Sequence, residues 1–196
     1  MKITSAEFVK SAGNKAQYAP DGLPEVAFAG RSNSGKSSLI NALSGRKRLA
    51  KSSTSPGRTQ LIQFFILNRE ISFADLPGYG YAKVPTAVKA SWRPMIETYL
   101  KERENLHLVV LVADIRRDIQ EEERLLIDWL TLYEHPVLLA LSKIDKLSGN
   151  QRYVRLQSLR GSFNSLPAEN ILPYSAQTGE GIDQIWFRLM NYLRKG

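Results

Sequence analysis

The chain has 196 residues, 43% hydrophobic and 23% charged, and its 27 Lys and Arg against 19 Asp and Glu leave a net charge of +8. With no cysteine and only His107 and His135, disulfides, a thiolate zinc site and a cysteine nucleophile are excluded, and a histidine metal cluster is disfavoured. The apolar runs are strand-length and the basic start, 1–13, has no apolar h-region, so a cytoplasmic protein is expected, its positive surplus suited to a polyanion such as nucleic acid or an anionic membrane surface.

In chain order, residues 1–23 read as an N-terminal extension and 24–196 as one domain. "EVAFAG" (25–30) is a strand ending in glycine, and "KSSLINALSG" (36–45) is the helix after it. The loop 47–58 is rich in Ser and Lys and overlaps the cationic "GRKRLAK" (45–51). "LIQFFILN" (61–68) and "ISFAD" (71–75), separated by a short polar turn around Arg69, predict a hairpin. "LHLVVLVAD" (106–114) and "PVLLAL" (136–141) are near-continuous apolar runs, the pattern of strands covered on both faces. After the acidic start "QEEE" (120–123), Leu125, Leu126, Trp129, Leu130 and Tyr133 form a helical stripe. A second cationic run, "RYVRLQSLR" (152–160), precedes a sixth strand, "NILPY" (170–174). Ile182, Ile185, Trp186, Leu189, Met190 and Leu193 close the chain as an amphipathic helix. Trp129 and Trp186 both read as core. The alternation predicts an α/β fold, with helices on both faces of a mainly parallel six-stranded sheet.

Between the first strand and helix lies "GRSNSGKSS" (30–38), which fits the phosphate-loop pattern G-x-x-x-x-G-K-[ST]. Gly30 and Gly35 let the backbone curl so that the N–H groups of Arg31, Ser32, Asn33 and Ser34 point at phosphate oxygens, aided by the positive helix end. Lys36 then reaches the β- and γ-phosphates, and the Ser37 hydroxyl ligates Mg²⁺. "DLPG" (75–78) ends its strand as a Walker-B-type motif should, with Asp75 holding Mg²⁺ through a water, Leu76 and Pro77 forming the turn, and the Gly78 N–H meeting the γ-phosphate. Between the two motifs lies "TSPGRTQ" (54–60), leading into Leu61, so that Gly57, Arg58, Gln60 and Leu61 flank a Thr that adds its hydroxyl to Mg²⁺ and its N–H to the γ-phosphate. Thr59 is chosen for that role, with Thr54 and Ser55 as competitors.

"SKID" (142–145) follows a buried strand, where a nucleotide-binding protein selects its base. A carboxylate at Asp145 accepts from the N1–H and the exocyclic amine of guanine, donors that adenine does not present there, and leaving it unpaired is costly. Lys143 lies along the base plane, Ile144 belongs to the turn, and Ser142 stands where guanine readers usually carry Asn. "SAQTGEG" (175–181) follows the sixth strand, so Ser175 and the N–H of Ala176 or Gln177 complete a guanine site.

These motifs, in this order, resemble the translation-factor-like class of small GTPases. "GRSNSGKSSLINAL", "TSPGRTQ" and above all "DLPGYGYAKV" resemble the EngB family of bacterial ribosome-biogenesis GTPases, over nearly the whole chain from about Pro24. The resemblance implies a single P-loop GTPase domain that binds GTP and GDP with Mg²⁺, assists assembly of the large ribosomal subunit, and is associated with normal cell division and septation. It also implies that Asn33 helps hold a K⁺ beside the β–γ bridge, against the simpler reading that Asn33 caps the loop. The catalytic set is Lys36, Thr59 and Gly78. Tyr79 occupies the position where many GTPases carry a water-orienting Gln, which predicts slow hydrolysis without a partner. The segment 78–94, with Tyr79, Tyr81 and Lys83, is expected to respond to the γ-phosphate and to face the ribosome. A monomer is expected. The competing classes are a P-loop ATPase or metabolic kinase, which leaves Asp145 without a role, and a nucleotide-independent RNA-binding protein, which leaves the phosphate loop unexplained.

Overall fold

Seven strands form one sheet in the order β1-β3-β4-β2-β5-β6-β7. They are β1 (Ala6–Ala12), β2 (Glu25–Gly30), β3 (Ile62–Leu67), β4 (Ile71–Asp75), β5 (Leu106–Asp114), β6 (Val137–Ser142) and β7 (Ile171–Pro173). The computed structural model describes residues 1–50, 61–78, 86–163 and 166–194, with backbone only for 86–93. From β4 to β7 every pairing is parallel, while β3 runs antiparallel to both β1 and β4.

The expected six strands are therefore seven, the addition coming from the segment read as an extension. β1 shows no apolar run because it is an edge strand: Phe8 and Val9 are exposed, and only Ala12 is fully covered. β2 and β6, in contrast, are buried at every position, and helices cover both of their faces.

Helices α1 (Lys36–Ser44) and α5 (Ile182–Leu193) pack on one face, where Leu39, Ile40 and Leu43 meet Ile185, Trp186 and Leu189 over Val26, Phe28 and Phe73. Trp186 stacks on Phe73 and donates its indole N–H to Leu43 O at 3.1 Å, so it is a core residue. The other face carries α2 (Thr86–Glu102), α3 (Glu121–Leu132) and α4 (Gly149–Ser162), which supply Tyr99, Ile127, Leu130 and Leu159. Trp129 is partly buried against that cluster. α3 starts at a capping box, Gln120 with Glu123. The chain is already helical at Thr86, inside the stretch 78–94 expected as one responsive segment.

β2 lies between β4 and β5, and α1, which follows β2, packs on the face opposite α2, which follows β4; the carboxyl ends of the parallel strands β2, β4, β5 and β6 open on one edge. Ligands of open α/β sheets bind at such an edge.

Candidate nucleotide site

The loop between β2 and α1 turns on two glycines. A Cβ on Gly30 would lie 2.5 Å from Val112 O on β5. Gly35 has a left-handed φ of 104° and lies so close to β6 that a Cβ there would meet Ser142 Cβ at 3.2 Å. Ser34 is buried, Asn33 is exposed with φ 63°, and Ser37 occupies the first turn of α1. The backbone N–H groups of that first turn lack helical partners and carry the positive end of the dipole.

Asp75 ends β4 almost fully buried and forms an ion pair with the Lys36 ammonium, itself well covered. The turn after it runs through buried Leu76, whose N–H donates to Phe28 O at 2.9 Å, and buried Pro77. Gly78 then reaches the phosphate loop: a Cβ there would sit 3.3 Å from Ser32 N. Lys36, Asp75, Gly78 and the loop amides thus converge. Gly57, Arg58, Thr59 and Gln60, with the competitors Thr54 and Ser55, lie outside the described residues, as do Tyr79, Tyr81 and Lys83. Leu61 is partly exposed and lies beside Gly13. Arg31 points away from this centre towards α3, where it pairs with Glu122 at 3.5 Å and Glu123 at 3.9 Å.

The segments expected to read the base are hydrogen-bonded to the phosphate loop. Ser142, buried at the end of β6, donates its hydroxyl to Ser34 O at 2.5 Å. Lys143, held at φ 67°, donates from Nζ to Asn33 O at 2.8 Å and to Asp114 Oδ2 at 2.9 Å. Ile144 is buried, and its N–H donates to Tyr174 O at 3.3 Å. Asp145 Oδ1 accepts from the Ser175 hydroxyl at 2.7 Å, and the Lys146 ammonium lies 3.1 Å from Oδ2. The Ser175 hydrogen bond, aided by Lys146, lowers the Asp145 pKa below the usual carboxylate range. Ser175 Oγ also accepts from the N–H groups of Gln177 (3.2 Å) and Thr178 (3.2 Å), which fixes the loop carrying Ala176 beside the carboxylate.

Two residues that sequence reasoning did not single out complete the arrangement. Tyr174 is fully buried and donates its hydroxyl to Gly35 O at 3.4 Å, so it and Ser142 hold consecutive phosphate-loop carbonyls. Burial raises its phenol far above its ordinary pKa, which keeps it a donor. Asp114, at the end of β5, accepts from Lys143 and, through both oxygens, from Arg116. Burial would raise the Asp114 carboxyl, but the Arg116 and Lys143 hydrogen bonds outweigh it and hold it well below the carboxylate range. An Asp closing a buried apolar run was the available signal for that residue.

A family model described as a 50S ribosome-binding GTPase matches residues 25–143, which contain the phosphate loop, Asp75 and Lys143. A protein of Geobacter metallireducens described as "Probable GTP-binding protein EngB" is 50% identical over 196 residues, covering 100% of this chain and 96% of that one. A protein of the same description from Syntrophus aciditrophicus is 55% identical over 185 residues, 94% of this chain and 93% of its own. The chain belongs to the EngB family of GTP-binding proteins. A crystal structure described as a probable GTP-binding protein EngB superposes with a TM-score of 0.72 at 25% identity, covering 88% of this chain and 100% of that one. Aquifex aeolicus Era bound to GDP and AlF4⁻ shares the fold, with a TM-score of 0.65 at 23% identity over 86% of this chain and 56% of its own. EngB membership makes the activity that of a GTPase.

Proposed function

We propose that this EngB protein is a guanine-nucleotide switch whose triphosphate form docks on the large ribosomal subunit or its precursor during assembly, with slow hydrolysis as the reset. The observation that carries the switch reading is the pair of bonds Ser142–Ser34 and Lys143–Asn33, by which the base-reading turn holds the phosphate loop. Base and phosphates are then read by one connected unit. The ribosomal output rests on the family description and on a net charge of +8 suited to an RNA-rich particle. In this reading the protein is a cytoplasmic monomer, needed for normal cell division and septation.

The roles follow from position. The amides from Arg31 to Ser37 cradle the phosphates, Lys36 neutralises the β- and γ-oxygens, and the Gly78 N–H meets the γ-phosphate. Asp145 selects guanine, with Ala176 and Gln177 amides on the base carbonyl and Lys143 along its plane. Gly57, Arg58, Thr59, Gln60 and Leu61 belong to the segment that senses the γ-phosphate. The donor set fits Mg²⁺, because a serine hydroxyl and one carboxylate are hard oxygen ligands. Ser37 and Thr59, and Asp75 through a water, would hold Mg²⁺, which would supply charge neutralisation at the transferring phosphoryl group. K⁺ beside Asn33 would add to it, an assignment tested by comparing hydrolysis in K⁺ and Na⁺ with Asn33→Ala.

The decisive experiment is co-sedimentation with purified large ribosomal subunits in GDP or a non-hydrolysable GTP analogue. Binding that is stronger with the analogue supports the proposal; equal binding in both states, or none, contradicts it.

A further inference from the structure

The two cationic runs of the sequence have different fates in the fold. In "RYVRLQSLR", Arg152 is paired with Glu180 at 3.0 Å and Arg155 with Asp118 at 2.9 Å, so most of that run's charge is spent internally. In "GRKR", Arg46, Lys47 and Arg48 are exposed and, among the described residues, none has an acidic partner.

The fold brings two further cations to the same corner. Asn68, in the β3–β4 turn, accepts from the Thr4 N–H at 2.8 Å and donates to Lys2 O at 3.0 Å. Arg46 donates to Thr4 O at 3.0 Å. The first residues of the chain, the loop after α1 and the β3–β4 turn are thereby locked together, and Lys2, Arg46, Lys47, Arg48 and Arg69 share one corner against the acids Glu7 and Glu70. Both central residues of the Leu67–Glu70 turn have left-handed φ, 53° at Asn68 and 59° at Arg69. Such a turn favours glycine at its second central position, so Arg69 keeps its charge there at a conformational cost.

We infer that this corner is a docking surface for the phosphate backbone of RNA. Five cations from three separate segments, held by specific hydrogen bonds and left without carboxylate partners among the described residues, match the spread charge of a nucleic-acid backbone. In the sequence, Arg46, Lys47 and Arg48 follow α1 and precede residues 51–60. This assignment of the corner deepens the ribosomal reading and rests on it for the choice of RNA over other polyanions.

The test uses the full chain loaded with a non-hydrolysable GTP analogue, a fluorescently labelled RNA hairpin as probe, and anisotropy over a salt series. The triple variant Lys47→Ala, Arg48→Ala, Arg69→Ala should bind the hairpin at least about tenfold more weakly at low salt. It should also flatten the log–log salt slope by about 2 to 3, at roughly 0.9 for each phosphate no longer neutralised. GDP affinity should be unchanged, which also shows that the variant folds. Arg152→Ala with Arg155→Ala should leave the salt slope intact. Hairpin binding insensitive to the triple variant, no hairpin binding by the native chain, or capture by phosphatidylserine vesicles in preference to RNA would each overturn the inference. Co-sedimentation with large subunits, run in parallel, separates the two failures: particle binding that survives the triple variant removes this surface and leaves the ribosomal reading standing.

Discussion

The hydroxyl of Ser142 donates to the carbonyl of Ser34, and beside it the hydroxyl of Tyr174 donates to the carbonyl of Gly35. The end of β6 and the residue after β7 thus hold two successive carbonyls of the phosphate loop from below. Guanine readers usually place Asn where Ser142 stands; here a short side chain and a large neighbour share the work of tying loop to loop. Ser142→Ala should leave Ser34 O without a donor and weaken GDP by about 0.5–1.5 kcal/mol, up to about tenfold. Tyr174→Phe should act in the same direction, and the double variant should lose less than the sum, because both bonds restrain one loop. Calorimetric titration of the three variants measures this.

Asp145 is held ionised by Ser175, so nucleotide binding should change little as the pH falls towards the usual carboxylate range. By linkage, a lowered pKa keeps the charged form, the one proposed to accept from guanine, populated until the pH drops through that lowered value. Ser175→Ala removes the largest cause and should shift the acid limb of GDP affinity to higher pH. Asp145→Asn should lose guanine by a factor of at least about 10² and favour xanthine, whose carbonyl accepts from the new amide. Competition with GDP and xanthosine diphosphate reads both effects.

Lys36 and Asp75 form a buried ion pair at the phosphate loop. Removing the ammonium leaves a covered carboxylate without its partner, which typically costs about 3–5 kcal/mol. Lys36→Ala should therefore lower nucleotide-free stability as well as phosphate binding, and Lys36→Ala with Asp75→Asn should recover part of the stability but none of the binding. Urea denaturation without nucleotide, followed by GDP titration, separates the two.

At the opposite end of β2, buried Glu25 accepts from Tyr99 (2.6 Å), Ser72 (2.7 Å) and the Arg103 guanidinium (2.7 and 2.9 Å). Burial and the Glu25 carboxylate raise the Tyr99 hydroxyl well above its usual pKa, so it stays a donor. This network fastens the last turn of α2 to the sheet. Arg103→Ala should destabilise the protein by about 3–5 kcal/mol, while GDP affinity of the folded fraction stays unchanged. Denaturation midpoints and calorimetry check the two halves of that statement.

What was legible in the sequence was local or periodic. The phosphate loop declares itself through Gly30, Gly35, Lys36 and Ser37, because close backbone approach dictates the residue type. β5 and β6 read as strands because parallel strands covered on both faces are apolar throughout. β1 did not, since an edge strand with exposed Phe8 and Val9 shows no burial pattern until β3 pairs with it. Tyr174 looked like an ordinary strand end; its role depends on Gly35 lying next to it, a relation 139 residues apart in the chain. The two cationic runs looked alike in sequence, and only the positions of Glu180 and Asp118 distinguish them.

The central claim is that Asp145 and the phosphate loop together make a guanine-nucleotide site, and calorimetric titration of GDP and ADP with Mg²⁺ at fixed salt tests it most directly. The account predicts that GDP binds, that ADP does not, and that Asp145→Asn abolishes GDP binding while the fold is kept. Equal affinity for the two purines, or GDP binding indifferent to Asp145→Asn, would contradict it.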